Sequence, residues 1–444
     1  MSSLPISDDR GIAWTASSEA TGSALMEAMS RYLTFRADAL DTVDALLEKD
    51  PDCPVAWVLR GYLLLFARKA ELVPEARNAL QRAQALAPAA LPRERRHIQA
   101  LAAWCDAQTL NAQRIWDDIL EEDPHDLLAL RVQHFHALFL GRPDELARHA
   151  TRTMHNWSDD IPGAGFAWST ACMGFEETDQ FNEAERIGRR ASELEPDDLW
   201  SLHSVAHVFE AEGRLKDGLD WMQRPAELWQ GRGSMRHHLW WHEALFLYEA
   251  GAYDQVLDYY DRRLETTDTF SYLEMSNLSS LLYRLEAAGV ACGTRWDRLA
   301  VRTVSLLPSR GLTFGDIHAL IVFALAQDGE HLAQLSASMT DYAKGTQTYD
   351  TQAAQAIGIP VSQALQARNR GDARAAVTAL NAARPAFARM GGSNAQRDML
   401  DILLVDLAID AGDTVLAGDA IARYLDIRPH SEPMRARLGV LAGM

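Results

Sequence analysis

The chain runs to 444 residues with 48% hydrophobic content, more than one compact core usually holds, so several domains or an open array of repeats is expected. Its 62 acidic against 43 basic residues give a formal net charge of -19, which argues against nucleic-acid phosphates and anionic membrane surfaces as partners. The cysteines Cys53, Cys105, Cys172 and Cys292 are far apart and form no CxxC pair, the usage of a reducing compartment with neither a disulfide framework nor a Cys-type zinc site. The opening MSSLPISDDRGIAW lacks the basic start and apolar core of a signal peptide. Apolar runs such as Leu320–Ala326 are too short to span a bilayer, so a soluble cytoplasmic protein is expected.

Along the chain, strand signal is nearly absent and a helical pattern recurs. Residues 1–18 read as an N-terminal arm. Trp57 and Gly61 open a helix pair that Ala83 and Pro88 close; Ala112, Trp116, Ile119 and Pro124 suit the second helix of another, and His134 and His136 lie on a following first helix. The clearest unit is Trp168–Pro196. With Trp168 at position 4, Cys172 falls at 8, Phe175 at 11, Ala184 at 20, Ala191 at 27 and Pro196 at 32, which is the register of a tetratricopeptide repeat. Gly188 stands where the second aromatic would be. Counting on, Leu202 takes position 4, Ala206 position 8, Phe209 position 11 and Gly218 position 20. Near the C-terminus Ala417, Ile421, Tyr424 and Pro429 occupy the same slots, and turn glycines recur at Gly141, Gly213, Gly251, Gly289, Gly329, Gly371 and Gly412. The pattern predicts an all-α, tetratricopeptide-repeat-like right-handed solenoid of about eleven helix pairs. Within a single superhelix over 1–444, the N-terminal repeats cover 19–160, central repeats 161–345 and C-terminal repeats 346–444.

The chemistry-bearing residues gather in the central repeats. His203, His207 and Glu210 fall within an arc of about 60° on one face of a helix, at repeat positions 5, 9 and 12 that point into the groove of such a solenoid. His238, Trp241 and His242 take positions 2, 5 and 6 of the next repeat, with His237 turned away and Trp240 packed in the core. Trp168, Asn277, Tyr283, Arg284, Asp316 and His318 are further ligand-binding candidates. So are Gln396, Arg397 and Asp398, which follow Gly391 and Gly392 in GGSNAQRD, a stretch that reads equally as a helix cap. A groove that clamps a peptide carboxylate presents Lys, Arg and Asn; this one presents His and Glu, which suit proton transfer or metal ligation better. Against these stands the reading that the stripe is only a polar network bridging repeats. The His203–His207–Glu210 spacing also suits metal ligation, although no HExxH signature is present and no metal ligand is assigned.

Several longer stretches carry a resemblance. PRERRHIQALAAW (92–104), VAHVFEAEGR (205–214), HHLWWHEALFLYEAG (237–251), SSLLYRLEAAGV (279–290), FGDIHAL (314–320) and GGSNAQRDML (391–400) resemble the tetratricopeptide repeat protein 38, or StaR-like, family nearly end to end. The resemblance implies an all-helical protein of a family without a generally assigned activity. Tyr283 stands where relatives usually have Trp, Asn277 where Asp is common, and Asn394 where many have His. No Gly-rich phosphate loop, GxSxG elbow, or PLP, haem or flavin signature is present, so no organic cofactor is predicted, with a divalent metal as the lesser reading. The leading expectation is a small-molecule pocket, with His203, His207, Glu210, His238 and His242 in acid/base roles of hydrolase, lyase or isomerase type. The alternative is a scaffold that binds a peptide or partner protein along the groove, with neither nucleic acid nor membrane engaged.

Overall fold

The computed structural model describes residues 4–266, 270–307 and 312–443. Helices follow one another from Glu19–Leu33 to Glu432–Ala442, and the expected first and second helices fall where the repeat register puts them: Pro54–Phe66 with Val73–Leu86, Pro92–Cys105 with Thr109–Glu122, Ala164–Glu176 with Phe181–Leu194, and Asn394–Asp410 with Thr414–Ile427. No helix among the described residues is long and apolar enough to cross a membrane.

The two helices of a pair differ in how they are buried, and the sequence explains why. Phe181–Leu194 buries only Ala184, Ile187, Gly188 and Ala191, spaced three, one and three residues apart, the stripe of an amphipathic helix. Outside that stripe it carries the ion pairs Arg186–Glu183, Arg189–Glu185 and Arg190–Glu193. A first helix such as Thr313–Leu325 is instead apolar nearly all round and buries Phe314, Ile317, Leu320, Ile321, Val322 and Phe323. Gly188, in the slot of an aromatic, lets neighbours close in: a Cβ there would sit 2.4 Å from Val205 and 2.6 Å from the Cys172 sulfur.

One backbone feature marks every repeat. Among the described residues, the chain turns between the two helices of a pair through a single left-handed residue: Phe35, Arg68, Ala107, Gly141, Asp179, Gly213, Gly251, Gly289, Gln327, Gly371 and Gly412, with φ from 52° to 80°. These eleven turns match the expected number of pairs. Six of the seven anticipated glycines hold the position. Gly329 does not: it begins the Gly329–Ala343 helix, and Gln327 takes the left-handed place instead. In three turns the next residue is an aspartate whose side chain caps the second helix, Asp328 to His331 N, Asp372 to Ala375 N and Asp413 to Leu416 N.

The N-terminal arm holds structure that helical periodicity does not announce. Leu4–Ser7 and Ala13–Ala16 pair as an antiparallel hairpin, Leu4 opposite Ala16 and Ser7 opposite Ala13. Four-residue strands are too short to show a period of two, and buried side chains of the Pro92–Cys105 helix seat them. Glu94 accepts from Thr15 N at 2.7 Å and Thr15 Oγ1 at 2.6 Å, while the Arg93 guanidinium lies 3.9 Å over the Trp14 ring and donates to Ala13 O. Arg93 and His97 both pair with the buried Asp126.

The chain forms two compact units. The first comprises Met1–Leu138, Pro143–Val205 and Pro225–Met235; the second comprises Phe139–Arg142, Ala206–Arg224 and Arg236–Met444. In the second unit one apolar core runs through the successive helices, from Trp241 and Leu245 through Leu281, Phe314 and Ile357 to Leu403 and Ile421.

A left-handed turn costs an L-residue about 1–2 kcal/mol that glycine avoids. Ala107→Gly, at an exposed turn, is therefore expected to raise stability by about 1 kcal/mol, and Gly251→Ala to lower it by about as much. No atom lies within 4 Å of the added Cβ at Gly251, so only backbone strain enters. Thermal unfolding of the two variants should show Tm shifts of opposite sign.

Candidate functional site

The Leu199–Ala211 helix is buried along its whole length, so its polar side chains face protein rather than an open groove. This corrects the expectation of a solvent-lined stripe. Neighbouring helices enclose it, leaving His207 and Glu210 only 1% and 7% exposed. His203 lies one turn ahead of His207 on the same helix, in the first unit, where its ring stacks on Trp200 at 4.4 Å. His207 and Glu210 belong to the second unit, and there the structure assembles them with His238 and His242 of the Gly233–Glu249 helix.

The imidazoles pack at steep angles to one another. The His207 and His242 rings are 4.5 Å apart and inclined at 59°; those of His238 and His242 are 4.8 Å apart at 75°. A ring nitrogen from each of His207, His238 and His242 lies within 4.8 Å of the others. His242 Nδ1 is 3.2 Å from Glu210 Oε2, and His238 Nδ1 is 3.0 Å from Asn277 Oδ1. Both oxygens only accept, so both Nδ1 atoms carry the proton and both Nε2 atoms carry the lone pair. Burial first, then the positive charge a neighbouring histidine would add, holds His238 well below the usual histidine value and brings His242 down to about 4. At neutral pH the rings of His238 and His242 are uncharged.

Glu210 is the anion of the group. Burial by itself would raise its carboxyl, but the Arg428 guanidinium, donating to Oε1 at 2.8 Å, and His242 outweigh it, so Glu210 is held well below the usual carboxylate range. Arg428 also pairs with Asp398 at 2.8 Å through Nε. One guanidinium serves two carboxylates, and Asp398 bears the remainder: burial raises its pKa despite Arg428. The partly buried Glu249 is the third acid here. Burial and then Glu210 push it up to about 7, against Arg428 and the Ser431 hydroxyl.

The other predicted residues are mostly occupied by packing and hydrogen bonds. Trp241 is fully buried, stacks on His238 at 5.2 Å and donates to Ser280 Oγ, whereas Trp240 is half-buried beneath Arg236 and Arg263. The roles expected of the two indoles are thus reversed: position 5 faces the interior. His237 is buried too, with its ring against Trp240. Tyr283 donates to Asp406 and Arg284 to Ser280 Oγ and Ala395 O. His318 is buried with Nδ1 bonded to Phe314 O, while Asp316 on the same helix is half-buried. Gln396 completes a capping box with Ser393, and Arg397 donates to Gly392 O and Asn394 Oδ1, so the cap reading of GGSNAQRD holds for both. Trp168 belongs to the first unit and donates to Asp159.

Sequence reasoning missed Arg428 and Glu249. Arg428 stands 218 residues beyond Glu210, and no local spacing links them. The sole available signal was a basic residue just ahead of the Pro429 that closes a repeat.

No protein-family model matches the chain. Similar solved structures include the Cut9–Hcn1 hetero-tetramer of the APC/C, 15% identical over 94% of this chain and 69% of that one with a TM-score of 0.48. The human IFIT1 dimer solved with m7Gppp-AAAA is 14% identical over 87% of this chain and 90% of that one, at 0.41. Yeast Tom70 is 12% identical over 96% and 95%, at 0.25. At these identities and scores no function transfers to this chain.

Removing one partner of a buried ion pair strands the other charge, at about 3–5 kcal/mol. Arg428→Met should lose that much in urea unfolding, and Glu210→Gln added to it should restore part of the loss. Glu249 titrates in the opposite sense to a salt-bridged acid. Its folded pKa of about 7 lies above the ordinary 4.5, so its contribution to stability is complete below pH 4.5 and is lost as pH rises through about 7. Glu249→Gln should therefore stabilise the protein at about pH 8.5 and lose most of that advantage near pH 5.

Proposed function

We propose that the protein is a helical-repeat scaffold that binds an extended segment of a partner protein, in a groove beside its N-terminal hairpin. The observation that carries this reading is a cavity of about 780 Å³ in the first unit, lined by Met26, Met29, Leu33 and Phe166 and by Asp9, Glu19 and Glu195, with the one basic lining residue, Arg10, paired to Asp8. Unbranched methionines adapt to varied apolar side chains. The acidic lining, on a chain of net charge -19, selects a segment that alternates apolar and basic residues. The hairpin supplies one wall, so the Pro92–Trp104 stretch, part of the resemblance to the tetratricopeptide repeat protein 38 family, acts here by seating Trp14 and Thr15.

A second reading keeps the small-molecule site, with acid/base chemistry and no organic cofactor. It is favoured by the meeting of His207, Glu210, His238, His242 and Asn277 in one place. It stands second because these side chains are enclosed, and an organic ligand would have to part packed helices to reach them.

Fluorescent peptides alternating Leu with Lys, or Leu with Glu, test the groove by anisotropy. The basic peptide should bind, and Asp9→Lys with Glu19→Lys should weaken it by about tenfold or more, screened by salt. Asp410→Lys with Asp426→Lys changes net charge equally at exposed sites in the second unit and should leave affinity nearly unchanged. Equal binding of the acidic peptide, or equal losses from both double variants, would refute the groove.

A further inference from the structure

We propose that His207, His238 and His242 form a binding site for one divalent transition-metal ion of the zinc class. The inference is independent of the peptide groove, which lies in the other unit.

Three imidazoles from two adjacent helices present ring nitrogens within 4.8 Å of one another. A four-coordinate ion with bonds of roughly 2.0–2.1 Å holds its donors about 3.3 Å apart, so the nitrogens would close in by at most about 1.5 Å on binding. The rings are inclined at 59° and 75° rather than stacked, so none covers another face to face. All three residues are at most 5% exposed.

The surroundings supply what orients ligating histidines elsewhere. Such a histidine gives its other ring N–H to a carboxylate or amide oxygen, which fixes the tautomer and the plane of the ring. His242 does so to Glu210 and His238 to Asn277. Glu210 is in turn fixed by Arg428, which keeps its negative charge behind the His242 ring. The carboxylate thus serves as a positioning residue and not as a ligand, unlike the arrangement read from the His203–His207–Glu210 spacing. Imidazole ligands and no thiolate suit Zn²⁺, Co²⁺ or Ni²⁺.

A second group, Asp117, Glu145 and His149 in the first unit, satisfies the same proximity. Its carboxylates are engaged by Arg148 and Arg152, which compete with a cation. It serves as the control.

The test uses untagged full-length protein, stripped with EDTA and titrated with Co²⁺, then with Zn²⁺. One Co²⁺ per chain is expected, with the intense visible absorption of a four-coordinate site, displaced by one Zn²⁺. His207→Ala and His242→Gln should lower Co²⁺ affinity by at least about a hundredfold, and Glu210→Gln by about 10–100-fold. His149→Ala should bind as the parent does. Folded His207→Ala or His242→Gln protein with parental affinity, or loss of binding in His149→Ala, would overturn the assignment. Should the histidine variants fail to fold, the parent protein decides alone: no stoichiometric Co²⁺, or only the weak spectrum of a six-coordinate ion, refutes the site.

Discussion

Within the second unit, the ion pair of Glu210 with Arg428 is the interaction on which most else depends. A carboxylate enclosed among helices stays ionised only beside a fixed cation, and Arg428 supplies it at 2.8 Å. An ionised Glu210 can only accept, so it fixes the proton on His242 Nδ1 and leaves the lone pair on Nε2. The same guanidinium holds Asp398, at the start of the Asn394–Asp410 helix, so the last repeats are tied electrostatically to the unit's first helix. Such a pair is weak evidence for high stability, because removing two ions from water offsets much of their attraction. Its effect is to specify geometry: one arrangement satisfies the charges and others leave one stranded.

The repeat architecture rests on a different constraint, which is backbone sterics. Each helix pair reverses through one left-handed residue, and glycine fills that place in six of the eleven turns. Phe35, Arg68, Ala107, Asp179 and Gln327 adopt the same conformation without glycine's freedom. Packing of the two helices therefore dictates the turn, and the residue type only sets its cost. This explains why glycine spacing gave nearly the right number of pairs while misplacing the turn at Gly329.

Polar burial is distributed unevenly, and that bears on function. In the first unit Arg93, Glu94, His97 and Asp126 are spent on fastening a hairpin, and the exposed consequence is a groove lined by apolar and acidic residues. In the second unit the polar residues turn inward around three imidazoles. One chain thus carries both the groove proposed for a partner segment and the cluster proposed for an ion, each built from its own helices.

The sequence by itself determined the helices, their pairing and the first-helix positions of His203, His207, Glu210, His238 and His242, because a period of 3.6 residues and a repeat of about 34 are local properties. It also showed that GGSNAQRD begins a helix. Local pattern could not tell a groove lining from a buried cluster, since polar residues at the same positions satisfy both until neighbouring helices are placed. Nor could it choose which of Trp240 and Trp241 faces inward, or show that the partner of Glu210 lies 218 residues away. Those were decided by tertiary packing: burial removes water from the site, and only the residues that the fold brings into contact can then replace it.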